Sequence, residues 1–392
     1  MFGKSWPESA LNRRRVLTMG GIALLAGCQI VPKGVPDHAP PPPVADVPNA
    51  NVLPSDAQRH RVALLVPMSG PDSGVGQAIA NATTMALLDT NAQSLRITTY
   101  DTAGGAQAAA TRAIADGNRL ILGPIASRDV TAVAAVAGPA HVPIISYSND
   151  ERLAAGGIFV MGSPPVQSIA RSVEHLRHGG MTRFAALIPT GDYGRMAAAG
   201  LQEVLRDLGG KLVGIETYDR GNTSIASAAR RLQTKGGYDA VLIADGPRIS
   251  AFAAPALRTP GAPGPKLIGT ELWSGEAAVG ASLALRGAVF STVSDSRWRQ
   301  FAESYKTRFG AQPYRLATLG YDSVLLSLRV ARDWRPGTNF PLAHLADQSG
   351  FLGLDGPFRF DRNGVIERAL EVREARAGGV TVISPAPGKF AN

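Results

Sequence analysis

The sequence predicts an α/β fold of two lobes, each a doubly wound parallel sheet. Three observations predict it. Apolar runs of strand length alternate with segments of helical periodicity along residues 60–268. Two such series begin with the same local pattern. About 333 residues, 60–392, follow a Pro-rich segment, more than one core usually supports.

The first series is organised around residues 61–90. The apolar run 62–66 is closed by Pro67 and reads as a strand buried on both faces. A polar, Gly-rich turn follows over 68–76. Val75, Ile79, Ala82, Met85 and Ala86 then recur at helical spacing. Such units hold ligands outside the carboxyl ends of their strands, facing helix N-termini. The cleft is therefore expected to begin at the turn that holds Ser69 and Gly70.

A strand over 96–100, a helix over 106–116 and a strand over 119–122 come next, the last stopped by Gly123-Pro124. A helix runs from Ser127 toward Gly138, and a strand occupies 142–145. The Ser127 hydroxyl is either a plain helix cap or part of an anion-accepting terminus. Ser146 and Tyr147 follow a strand end and are expected on the same side as Ser69.

The second series starts after Ser163-Pro164-Pro165. Its helices are expected at 166–178, 193–208 and 225–234, and its strands at 183–188, 212–218, 240–244 and 266–268. Leu187-Ile188-Pro189-Thr190-Gly191-Asp192 parallels Leu65-Val66-Pro67-Met68-Ser69-Gly70: a strand ends at Pro and a polar Gly turn enters a helix. Helices over 297–309 and 314–332 follow, then a hairpin-like region with 358–360 and 370–372 as its arms and 361–364 as its turn. The first lobe is expected to hold about 60–162 and 293–345, the second about 163–292 and 346–385. The chain must then cross between them several times.

Ahead of the folded part, Arg13-Arg14-Arg15 precedes an eleven-residue apolar run, 16–26. That run is shorter than the about 20 residues a membrane span requires and fits a secretory signal, 1–27. It ends in Leu25-Ala26-Gly27-Cys28, which resembles a lipobox, and Cys28 is the only cysteine of the chain. Residues 12–17 also resemble a twin-arginine export signal. Residues 28–59 are Pro-rich and read as a tether, with a reach on the order of 100 Å in polyproline II. Gln29 after the cysteine points to the outer membrane.

Composition narrows the function classes. The formal charge is +9, of which the signal segment carries +3 through Lys4 and three arginines against Glu8. The remaining basic residues are scattered, without runs interleaved with aromatics, so no nucleic-acid partner is expected. A single cysteine allows neither an internal disulfide nor a cysteine metal site. Gly74-Val75-Gly76 lacks the third glycine of a dinucleotide fingerprint, because Ile79 stands there. His175 and His178 share a helix with no third ligand nearby. No Gly-x-Ser-x-Gly elbow or His-Glu-x-x-His motif is present, so neither an enzyme nor a cofactor is expected.

Several runs resemble the type I periplasmic binding proteins of the Leu/Ile/Val-binding kind. These are Leu65–Gly70 in sequence, Leu122-Gly123-Pro124 with Ser127, the run from Pro143 to Tyr147, Asp192-Tyr193-Gly194 and Gly320-Tyr321-Asp322. The C-terminal half is similar to the penicillin-binding protein activator lipoproteins. The matching runs are Gly269-Thr270-Glu271-Leu272-Trp273, Leu316-Ala317-Thr318-Leu319-Gly320-Tyr321-Asp322, and Gly353-Leu354-Asp355-Gly356-Pro357-Phe358-Arg359-Phe360 with Asn363-Gly364 and Glu367-Arg368. In the enteric activators a helical-repeat domain stands where this chain has its Pro-rich segment.

The resemblance implies two functions, of which the tether at Cys28 and the C-terminal runs favour the first. One is a lipid-anchored lipoprotein that activates a bifunctional penicillin-binding protein, a peptidoglycan synthase, by contact. The other is the substrate-binding lipoprotein of an ABC importer for branched-chain amino acids or related amides. It also implies a ligand contact at Tyr193, for which a packed turn tyrosine is the alternative. Asp245 and Glu271 are either partners of a ligand ammonium group or exposed loop carboxylates. The implied small molecule is an amino acid or a muropeptide-like compound.

Overall fold

The computed structural model describes residues 58–387 and 390, apart from 222, 260 and 262. The signal segment, Cys28 and nearly all of the Pro-rich segment lie outside the described residues. The folded unit opens with β1 (His60–Val66), α1 (Ser73–Asp89), β2 (Leu95–Asp101), α2 (Ala106–Ala115), β3 (Leu120–Leu122), α3 (Ser127–Ala137), β4 (Ile144–Ser146) and β5 (Ile158–Val160). These strands form a parallel sheet in the order β2-β1-β3-β4-β5.

The chain crosses at 161–164 into the second lobe. There it forms α4 (Pro165–His178), β6 (Arg183–Pro189), α5 (Asp192–Asp207), β7 (Lys211–Tyr218), α6 (Ser224–Lys235), β8 (Ala240–Ile243), α7 (Pro247–Ala253), β9 (Lys266–Ile268), α8 (Ala278–Ala281) and β10 (Val289–Thr292). The parallel strands run β7-β6-β8-β9-β10, so both lobes share one strand order. The chain returns at 293–295 to α9 (Ser296–Phe309), α10 (Ala317–Ala331) and a small antiparallel sheet, β11 (Phe351–Gly353), β12 (Gly356–Phe360) and β13 (Ile366–Arg368). It crosses a third time at 369–370. Then β14 (Glu371–Arg376) pairs antiparallel with β10, and β15 (Gly379–Ser384) with β14.

Alternation along the first strand of each sheet explains both layers. Val62, Leu64 and Val66 face a core with Ile79 of α1 and Leu319, Val324 and Leu326 of α10, while Ala63 and Leu65 face the alanines of α2. In the second lobe Phe184, Ala186 and Ile188 meet α4 and α5, while Ala185 and Leu187 meet α6 and the segment after α7. The parallel openings of the two series also share one close approach. A Cβ on Gly76 would lie 1.8 Å from the Pro67 carbonyl oxygen, and one on Gly194 1.8 Å from that of Pro189. Each helix thus presses its first turn onto the carbonyl that ends its strand, which only glycine permits.

Two expectations are corrected. Residues 351–368, assigned with the second lobe, pack on the first: Phe358, Phe360 and Ile366 join Val62 and Leu64 in one core. Burying each of those phenylalanines stabilises by about 2 kcal/mol, more than the exposed alternative could offer. The hairpin arm opposite 358–360 is 366–368, with Phe358 paired to Arg368, whereas 370–372 enter the third crossing and β14.

Candidate functional site

The three crossings and the facing carboxyl ends of the two sheets enclose a cavity of about 340 Å³. The first lobe contributes Ile125, Tyr147, Asn149, Arg315, Leu316, Leu319, Asp355 and Arg368. The second contributes Gln167, Ser168, Glu271, Leu272 and Ser274. Its position, outside the strand ends of two doubly wound sheets, is where the topology places ligands. A second cavity of about 510 Å³ lies along the first lobe between the 67–72 turn and the start of α3, and it shares Ile125 and Leu316 with the first.

Glu271 is the most unusual group in the interlobe wall. Its Oε1 lies 2.9 Å from the Tyr193 hydroxyl, which is also 2.8 Å from Thr270 Oγ1. Its Oε2 is buried with no hydrogen-bond partner among the described residues. Burial lifts the carboxyl to about 7. Burial first, and then the Glu271 charge, raise the Tyr193 hydroxyl well above its ordinary value. Behind the ring, the Arg220 guanidinium lies 5.6 Å from the Tyr193 centroid.

A ladder of ion pairs runs along the hinge beside this cavity. Glu371 accepts from Arg373 at 2.7 Å, and Arg373 also pairs with Asp295 of the second crossing. Asp295 lies 3.4 Å from Arg315, which donates to Asp355 at 2.8 Å. Thr318 donates to the other Asp355 oxygen at 2.8 Å, and the Arg315 guanidinium sits 4.5 Å over the Trp298 ring. The ladder therefore ties β14 of one lobe to α10 and the small sheet of the other. Asp322 lies fully buried nearby, accepting the Leu354 N–H at 2.6 Å through Oδ1. Burial and the charge of Asp355 push its carboxyl up.

The expected site residues are placed as follows. Tyr147 and Glu271 line the interlobe cavity. The Tyr147 hydroxyl is 2.8 Å from Ser323 Oγ, so it is the ring that forms wall. Ser69 lines the second cavity, and its hydroxyl donates to Asp101 at 2.6 Å. That bond, with backbone N–H donors, holds the Asp101 carboxyl at about 2. Gly70 is exposed in the same turn at φ +75°.

Ser127 does not cap α3. Ala126 occupies the cap position, and the Ser127 hydroxyl is 3.1 Å from Ser148 Oγ. Ser146 is fully buried, donating to the Pro124 carbonyl and accepting the Ser148 N–H. Tyr193 stands behind Glu271 rather than in the cavity wall. Asp245 is neither in the wall nor an exposed carboxylate: it accepts from Tyr218 at 2.7 Å, Arg220 at 2.8 Å and the Gly246 N–H at 2.8 Å. Its partners lie 25 and 27 residues away, which no local pattern reveals. Arg368, Arg315 and Asp355 were not singled out, although all three stand in or beside the runs that carry the resemblance. Among the described residues no group of three His, Cys, Asp or Glu could hold a metal ion.

Comparison with known proteins agrees with this fold. Among curated proteins, an uncharacterized protein of Rickettsia prowazekii is 28% identical over 115 residues, 29% of this chain; the match spans 30% of that relative's length. Among solved structures, the leucine binding protein LivK of Thermotoga maritima superposes with a TM-score of 0.64 at 21% identity, covering 84% of this chain and 99% of that one. LivJ of Streptococcus pneumoniae, in complex with isoleucine, gives 0.62 at 18% identity, covering 83% and 100%. A solute binding protein of an ABC transporter from Rhodopseudomonas palustris, in complex with 3,4-dihydroxybenzoic acid, gives 0.65 at 20% identity, covering 85% and 100%. The family model for periplasmic binding protein matches residues 60–379, so the chain belongs to the periplasmic binding protein family.

Proposed function

We propose that the chain is a solute-binding protein whose interlobe cavity takes an amino acid of the branched-chain class or a related amide, with Glu271 facing the ligand ammonium group. Membership of the family implies a periplasmic location. One observation carries the reading. A buried carboxylate oxygen, Glu271 Oε2, stands without a partner, and Glu271 lines a cavity walled by Ile125, Leu272, Leu316 and Leu319. An ammonium group supplies the missing donors and removes the cost of a lone buried carboxylate, while the apolar walls suit a hydrocarbon side chain. The relatives in complex with isoleucine or described as leucine binding support the same class. Calorimetric titration of the purified protein with leucine, isoleucine, valine and leucinamide tests it. Binding of at least one, lost in Glu271→Gln, is the expected result; no binding by any of them overturns it.

A second reading is activation of a bifunctional penicillin-binding protein by contact from a lipid anchor at Cys28, with a muropeptide-like compound as the cleft ligand. The C-terminal runs similar to activator lipoproteins favour it. Three of their aromatic side chains are interior, however: Trp273 is buried and donates to the Asp245 carbonyl, and Phe358 and Phe360 are core. Residues that build a core support a shared fold and do not select a partner, so the solute reading stands first. The anchor and the outer-membrane placement rest on the lipobox and Gln29, outside the described residues. Stimulation of glycan polymerisation by the purified protein, with no solute bound, would reverse the order.

A further inference from the structure

The ammonium reading leaves the ligand's other end undefined, acid or amide. We propose that Arg368 forms a carboxylate subsite at the hinge end of the interlobe cavity, so that the ligand is an acid; this deepens the amino-acid reading and rests on it. Arg368 ends β13, one residue before the third crossing, and lines the cavity while only 7% exposed. Its Nη2 donates to the Met161 carbonyl at 3.3 Å, while Nε and Nη1 have no acceptor among the described residues. A guanidinium keeps its charge in any protein environment, so this is a buried cation with open donors.

No resident carboxylate fills the gap. Asp355 is committed to Arg315 and Thr318. Glu367, the adjacent residue, accepts from Arg359 at 2.5 Å. Asp322 interacts with Arg368 only at longer range, and its Oδ2 has no hydrogen-bond partner. The arginine is also held in place from two sides. The Phe358 ring lies 5.5 Å from the guanidinium. Gln167 of α4 accepts the Arg368 N–H at 3.2 Å and donates to the Ile366 carbonyl, clamping the backbone on both sides of Glu367. A preformed cation with open donors suits a carboxylate, which it binds through charge-assisted hydrogen bonds. With Glu271 as the anion and Arg368 as the cation, the cavity carries the inverse of an amino acid's two charges.

The test is calorimetry on the full-length protein with four probes: L-leucine, L-leucinamide, 4-methylpentanoate and 3,4-dihydroxybenzoate. Leucine is expected to bind on the order of 100-fold more tightly than leucinamide, the scale of one lost partner in a buried charge pair. Arg368→Gln should weaken leucine by a similar factor and abolish the acid-over-amide preference, and Arg368→Lys should restore part of it. If Arg368→Gln fails to fold, the leucine–leucinamide comparison on the wild type decides alone. Equal binding of leucine and leucinamide, both lost in Glu271→Gln, removes the subsite and leaves the amino-acid reading standing. Binding of 3,4-dihydroxybenzoate but not leucine, lost in Arg368→Gln, keeps the subsite and removes the ammonium reading. No binding by any probe overturns both.

Discussion

Alanine at Gly76 and at Gly74 separates backbone packing from helix propensity within a single helix. Both residues lie in the first turns of α1, so each change gains about the same propensity, roughly 1 kcal/mol. At Gly76 the new Cβ would meet the Pro67 carbonyl oxygen at 1.8 Å and the carbonyl carbon at 2.7 Å. Those atoms belong to the strand-ending backbone and cannot swing away as a side chain can. At Gly74 the nearest atom is the Tyr314 hydroxyl oxygen at 3.2 Å, the tip of a side chain that is 54% exposed. Overpacking in a tight interior costs about 1–3 kcal/mol and more when backbone must shift. The clash at Gly76 therefore outweighs the propensity gain, and Gly76→Ala should lose about 2 kcal/mol net. Gly74→Ala should be neutral or stabilise by up to about 1 kcal/mol. Urea unfolding of both variants measures the difference directly through the midpoint. Equal stability of the two would refute the packing argument.

Further outcomes follow from the hinge and the N-terminus. Glu271 holds its proton to about 7 in the folded state against an ordinary value of 4.5, so folding takes up a proton between those values and the protein loses stability as pH rises through them. Glu271→Gln should therefore gain stability relative to wild type at pH 8 compared with pH 5, and the opposite trend in urea midpoints would remove the cause. Ammonium probes should release protons on binding near pH 6.5, read as a buffer-dependent binding enthalpy. Asp295→Ala breaks the ladder between Arg373 and Arg315 and should cost about 2 kcal/mol, less than a fully buried pair because Arg373 keeps Glu371; an unchanged urea midpoint would show the ladder to be inert. Cys28→Ser should leave the protein unlipidated, and membrane partition identical to wild type would place the anchor elsewhere.

Much of the architecture was legible because its signals are local. A strand closed by Pro, a Gly turn and a 3.6-residue apolar period mark 61–90, and the same grammar marks 183–208. The three- and four-residue strands β5 and β10 carry no periodicity and were missed. The alternation Phe358–Phe360 announced a strand, but a strand does not say which lobe it covers; that is decided by the core it completes. Site residues divide similarly. Tyr147 and Glu271 could be reached from strand ends, because topology sends those ends to the cleft. Asp245 and Arg368 could not be sorted: one is paired with Arg220 and the other is buried with two N–H groups unpaired, and both facts arise only when distant segments meet.

The position of β14 and β15 has a consequence for how the molecule comes into being. The second sheet lacks two strands until residues 371–384 arrive, and β10, their docking edge, precedes them by about 80 residues given wholly to the other lobe. A chain synthesised N-terminus first can assemble the first sheet early, yet it must carry an unsealed edge on the second while α9, α10 and the small sheet are laid down. Strands that emerge only after the other lobe is complete are thus what shield the half-built lobe from its neighbours. A nascent chain arrested near residue 368 should cling to chaperones through β10, and release should coincide with the appearance of β14.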